Sequence, residues 1–233
     1  KQSHAWPPLG AKETDAYLDL QMFREWEIML LRGVEERWAN WHQFVTGRVS
    51  PAFTDEGFEV TWTPPEVFRV LKEAVEEGLS RWDDLGSEER VQMLYNSHGL
   101  LPKFVEMQTI ADSVLHQLRP LLEDWSGLKL VPSNAYGIKT HVISAIIHIA
   151  HSYDDDAAPW PLEIESHRTG RLSSVNLQPG EMLLYESAKC LHGRMTKFKG
   201  KYYGSLYLHY APANKKIWNF DSRFVMEAIP PHW

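Results

Sequence analysis

At 233 residues the chain has room for one large domain, or for a core with an appended helical region. Its 43% apolar and 24% charged residues are those of an ordinary globular chain, which excludes disorder as the default. The net charge of −7, with no basic run longer than Lys215-Lys216, argues against a nucleic-acid backbone as the main partner, and the lone Cys190 excludes an intrachain disulfide.

The first half reads as helical. Leu18, Met22, Met29, Leu30, Val34, Trp38 and Trp41 recur at steps of three, four and seven, the stripe of an amphipathic helix. Thr63-Pro64-Pro65-Glu66 has the form of a capping box with proline at the first helical position, and Val67, Val70, Leu71 and Val75 continue it until Gly78. A further helix carries Ile110, Val114, Leu115, Leu118, Leu121, Leu122 and Trp125. Pro120 should kink or break it, and Gly127 should close it. The ten tryptophans are expected mainly as core anchors.

After Gly127 short β-branched and aromatic runs alternate with turn residues. They cover Leu128–Ile138, Thr140–Ala150, Pro161–Ile164, Leu172–Leu177, Glu181–Tyr185 and Tyr202–Tyr210. The longest apolar stretch, Val142 to Ala150, is interrupted by Ser144 and His148 and is too short to cross a bilayer. No secretory signal opens the chain, which points to a cytoplasmic protein, although a start at Lys1 is compatible with a trimmed leader. The expected class is α+β: helices over residues 1–126 packed on a double-stranded β-helix, or jelly roll, over 127–233, as one integrated domain.

Chemistry concentrates in Pro179-Gly180-Glu181-Met182-Leu183-Leu184-Tyr185-Glu186-Ser187, Cys190-Leu191-His192-Gly193-Arg194, Gly200-Lys201-Tyr202-Tyr203 and His209-Tyr210-Ala211-Pro212. By itself this is turn, buried strand, turn, histidine, turn, strand, and a lone histidine after a strand is more often structural. The order resembles the C-terminal half of the prolyl 4-hydroxylase-like iron(II)/2-oxoglutarate-dependent dioxygenases. Upstream, Leu130–Ile138, Thr140–Ile149 and Trp160–Ile164 look like earlier strands of the same family, so the resemblance spans roughly Leu121 to Trp233.

The resemblance implies a hydroxylase acting on a C–H bond of a prolyl, peptidyl or amino-acid-like substrate. Its cofactors would be Fe(II), 2-oxoglutarate as co-substrate and ascorbate as an optional reductant, with no nucleic-acid or membrane partner. His192 would be the distal metal ligand. Lys201, nine residues on, and Ser205, four further, match the family's basic and hydroxyl anchors for the far carboxylate of 2-oxoglutarate. Arg194 is the rival anchor, able to share the face of His192 if the backbone is extended, and Tyr136 is a further co-substrate contact. Period-two alternation places Lys201, Tyr203, Ser205 and Tyr207 on one polar face. A solvated hairpin lysine is the bland alternative for Lys201. His141 and His148 fall on opposite faces of a regular strand, and His148 reads as an interior histidine.

The family's other two ligands come as His-x-Asp or His-x-Glu, and this sequence contains neither triplet. His151-Ser152-Tyr153-Asp154 is one residue too long for two ligands on one strand face, and reads as loop. The resemblance places the pair between Ile138 and Lys139, where two strand-like runs meet with no turn residue. Fused, they would make a strand of about twenty residues against the usual 3–10. A missing loop and strand with a chain break at this junction is the expectation. The alternatives are a true deletion leaving a metal-free jelly-roll binding module, or a cupin-like metalloenzyme that does not use 2-oxoglutarate.

Overall fold

A computed structural model describes residues 12–81, 105, 107–133, 142–217 and 229. Four helices come early: α1 (Asp15–Leu30), α2 (Val34–Val49), α3 (Pro65–Ser80) and α4 (Gln108–Ser126). Eight strands complete the order: β1 (Phe58–Trp62), β2 (Leu130–Pro132), β3 (Ile143–Tyr153), β4 (Leu162–Glu165), β5 (Leu172–Val175), β6 (Glu181–Tyr185), β7 (His192–Gly193) and β8 (Gly200–Pro212). The class is α+β, with every pairing antiparallel. One sheet runs β1-β6-β3-β8-β2 and the other β5-β4-β7.

Alternation along β3 builds a layered core. Ile143, Ala145, Ile147 and Ile149 turn to α3 and α4, where Val67, Leu71, Val114, Leu118 and Leu122 meet them. Ile146, on the opposite face, packs with Leu183 and Tyr185 of β6 against Leu162 and Ile164 of β4. The five-stranded sheet is therefore covered by helices on one side and by the second sheet on the other. Its β-branched centre fits a strand buried on both faces. Gly127 closes α4 in the left-handed region (φ 69°), donating to Glu123 O as the sequence indicates.

Several elements depart from the sequence reading. The stripe over 18–41 is two helices, and its Met22, Leu30, Val34 and Trp38 lie on the outside; the buried anchors are Tyr17, Ile28, Trp41, Phe44 and Val45. The helical half also contributes β1, which pairs with β6 along its whole length. No capping box forms at α3: Pro64 occupies the cap, Thr63 N–H donates to Gly180 O, and the Thr63 hydroxyl is buried without a partner. The helix passes Gly78 and ends at Ser80; a side chain at 78 would collide with Val105, so close packing explains that glycine. Pro120 lies within an uninterrupted α4.

β2 and β3 are hydrogen-bonded to opposite edges of β8, so they are two parallel strands and not one long one. The junction of Ile138 with Lys139, together with Tyr136 and His141, lies outside the described residues.

A buried ion pair ties α1 to the chain between β6 and β7. Lys189 Nζ bonds the Glu13 carboxylate and donates to Ser50 O at 2.8 Å. Beside it, Glu186 accepts from Phe53 N at 3.0 Å and from Thr54 N and Oγ1 at 2.7 Å, fixing the approach to β1.

Candidate functional site

The sheet-facing side of β3 carries Ser144, Ile146 and His148, and the facing register of β8 pairs them with His209, Tyr207 and Ser205. A polar band therefore lines the space between the sheets. At its deep end Ser144 Oγ lies 2.8 Å from Ser187 Oγ and 2.9 Å from His209 Nδ1.

His192 enters from β7. Its Nδ1 lies 2.8 Å from Cys190 O, a group that only accepts, so Nδ1 carries the proton and Nε2 the lone pair. Burial lowers its pKa, which favours the neutral ring. The Tyr185 ring stands edge-on at 4.6 Å between centroids. A backbone carbonyl holding one ring nitrogen is how metal-binding histidines are commonly oriented. The described residues nonetheless contain no convergent set of three histidine, cysteine or carboxylate donors, and the whole sequence lacks the His-x-Asp pair. One histidine thus suits a metal, and the described residues do not complete its coordination.

Arg194, two residues on, is half-buried. Its guanidinium lies 4.2 Å from the Trp160 ring centroid and 4.4 Å from that of Tyr203, and Nη1 donates to Trp160 O. No carboxylate pairs with it among the described residues. His148 stacks on Tyr203 at 4.1 Å, and Tyr203 meets the Trp160 ring edge-on at 5.2 Å, so Tyr203 touches His148, Arg194 and Trp160 alike. Burial raises the pKa of Tyr203, against the opposing pull of Arg194. In the same wall the Ser205 hydroxyl is buried with no hydrogen-bond partner.

Lys201 is not in this group. It is exposed, because β8 bulges there: Tyr202 pairs with Ser152 and Gly200 with Tyr153, leaving Lys201 unpaired. The alternation that puts Tyr203 and Ser205 on the interior wall is broken one residue earlier. A second register shift falls between His148 and Ala150, so Ile149 is the extra residue on β3. Past it the parity of β3 reverses, and His151 joins the face of His148. His151 therefore belongs to a strand rather than a loop, and Asp154 beyond it is exposed. Sequence reading missed Trp160 and His151 as members of the site. The double-aromatic setting of Arg194 depends on a fold contact between residues far apart in sequence.

No protein-family model matches the chain, and neither does any curated protein. Among solved structures, AviO1 from Streptomyces viridochromogenes Tue57 is 16% identical over 68% of this chain and 90% of its own, with a TM-score of 0.48. A prolyl-4-hydroxylase from Pseudomonas putida is 13% identical over 68% of this chain and 94% of its own, with a TM-score of 0.43. EvdMO1 is 13% identical over 70% of this chain and 49% of its own, with a TM-score of 0.48. At these scores the likeness is a partial one of backbone course.

Proposed function

We propose that this chain is an iron(II)/2-oxoglutarate-dependent oxygenase built on a double-stranded β-helix, hydroxylating a C–H bond of a prolyl, peptidyl or amino-acid-like substrate. One observation carries the reading: a guanidinium packed against two touching aromatic rings, with no acidic partner among the described residues, shares an interior wall with an orphaned serine hydroxyl. A planar cation held in this way has little rotamer freedom left to lose and is suited to a carboxylate. The Ser205 hydroxyl is a donor with nothing to donate to, at a desolvation cost that a ligand carboxylate removes. In this reading Arg194 and Ser205 receive the far carboxylate of 2-oxoglutarate, and His192 offers Nε2 to the metal. Iron held there would supply the oxidising chemistry. The protein's own residues would orient the co-substrate on the wall that Arg194 and Ser205 share.

Two further ligands have to come from outside the described residues. β2 and β3 pair with opposite edges of β8 and are separated in sequence only by residues 133–142, whereas connections between parallel strands usually take a dozen or more. That brevity fits a segment missing between Ile138 and Lys139. It equally favours a second reading, a metal-free module that binds a carboxylate and does not turn it over.

Succinate release from 2-oxoglutarate with added iron(II) separates the two. Turnover that disappears in His192→Ala supports the oxygenase. Binding of 2-oxoglutarate without succinate supports the module, and neither binding nor turnover removes both.

A further inference from the structure

The bulge at Ile149 pairs two histidines beside the proposed carboxylate site. Strand alternation alone would send His148 and His151, three residues apart, to opposite faces; the extra residue brings both to the interior wall. Their rings are parallel, 5.0 Å between centroids and 5° between planes, with His148 Nε2 2.7 Å from His151 Nδ1.

One proton sits in that contact, and its owner follows from the next bond along. His148 Nδ1 faces Gly204 O at 3.2 Å, and a carbonyl only accepts, so His148 is protonated at Nδ1. Burial holds its pKa near 4, and it is neutral at physiological pH. Its Nε2 is then an acceptor, and His151 Nδ1 is the donor. When neutral, His151 carries its lone pair on Nε2. That atom has no partner among the described residues and is not buried. Tyr153 flanks the His151 ring at 4.3 Å and Tyr203 at 6.1 Å, and Arg194 lies 4.4 Å from the Tyr203 ring centroid.

We infer that His151 is a substrate-facing hydrogen-bond acceptor at the mouth of the site, taking an N–H or O–H of a group that lies against Tyr153 and Tyr203, with His148 as its positioning residue. The role rests on the proposed location of the active site and not on the identity of the co-substrate. An imidazole whose second nitrogen is fixed by a neighbour is directional, and that makes it discriminate: a donor is bound, and an acceptor in the same place is repelled.

The test has two arms. Long-range nitrogen–proton NMR of the full chain at neutral pH should show both rings protonated at Nδ1, and His148→Ala should return His151 to a mixture of tautomers. Protonation of His151 at Nε2 in the intact protein would overturn the inference. The second arm uses a capped Ala-Pro-Gly peptide and its ester analogue, in which oxygen replaces the glycine N–H. The peptide should bind about tenfold more tightly than the ester, as for one net hydrogen bond. The preference should vanish in His151→Ala and return in part in His151→Gln. An equal preference in the intact protein and His151→Ala, or no binding of either probe, refutes the inference. Succinate release without peptide should fall in Arg194→Ala and persist in Lys201→Ala, whose side chain is exposed. Loss of turnover in the intact protein would instead count against the oxygenase reading, leaving the binding comparison as the measure of His151.

Discussion

Acidification should destabilise the protein through His148 in a way that one substitution removes. The ring is fully buried between β3 and β8, and its pKa is pushed down to about 4, chiefly by desolvation and then by His151. The unfolded chain protonates the same ring near 6.5, so between these values the unfolded state binds more protons than the native one. Stability is therefore fully present above about pH 6.5 and is lost as the pH falls toward 4. At full strength the displacement is worth about 3 kcal/mol. Screening from the open mouth beside Arg194 and Tyr153 reduces that to about 1–2 kcal/mol. Asn in place of His148 keeps an N–H for Gly204 O and cannot titrate. Urea unfolding at pH 7.5 and 4.5 gives the comparison: the intact protein should lose about 1–2 kcal/mol more than His148→Asn between those values. His192, also shifted downward by burial, contributes in the same direction to both proteins and cancels. Equal losses in the two would refute the assignment of a buried, neutral His148.

Arg194→Ala should weaken 2-oxoglutarate binding by about 1.5–3 kcal/mol, while Lys201→Ala leaves it unchanged; calorimetry showing the reverse would return the anchor to Lys201. Lys189→Ala removes the cation beside the buried Glu13 carboxylate and should cost about 3–5 kcal/mol of unfolding free energy. A loss below about 1 kcal/mol would show that the pair does not hold the start of α1 to the segment after β6. Gly78→Ala tests opposing effects, because alanine favours the helix by about 1 kcal/mol but meets Val105. Overpacking should win, lowering the melting temperature, and a raised one would mean that Val105 yields freely.

What the sequence made legible follows the strength of local patterning. β6 was read to the residue, because Pro179-Gly180 forms the turn before it (φ 93° at Gly180) and a solid apolar run follows. β3 was visible through its β-branched run. β1 was not, since Phe58–Trp62 is an edge strand whose Glu59, Val60 and Trp62 are exposed, leaving neither alternation nor an apolar run to detect. In the α1–α2 hairpin the apolar periodicity was real but faced outward, as tertiary contacts chose Tyr17 and Ile28 instead. The site suffered from the same blindness to register. The family resemblance marked His192 and Ser205, and Arg194 was marked by its place two residues from His192. Two bulges decided the rest: one pushed Lys201 out to solvent, and the other folded His151 in. A single inserted residue reverses every later side chain, and no local signal in the sequence marks where it falls.

The most direct test of the account is a crystal structure grown with manganese(II), as an inert stand-in for iron, and 2-oxoglutarate. The predicted result is the far carboxylate of 2-oxoglutarate on the Arg194 guanidinium and Ser205 hydroxyl, with the metal on His192 Nε2. A dicarboxylate bound at Lys201 or elsewhere, with Arg194 still packed only against Trp160 and Tyr203, would contradict it.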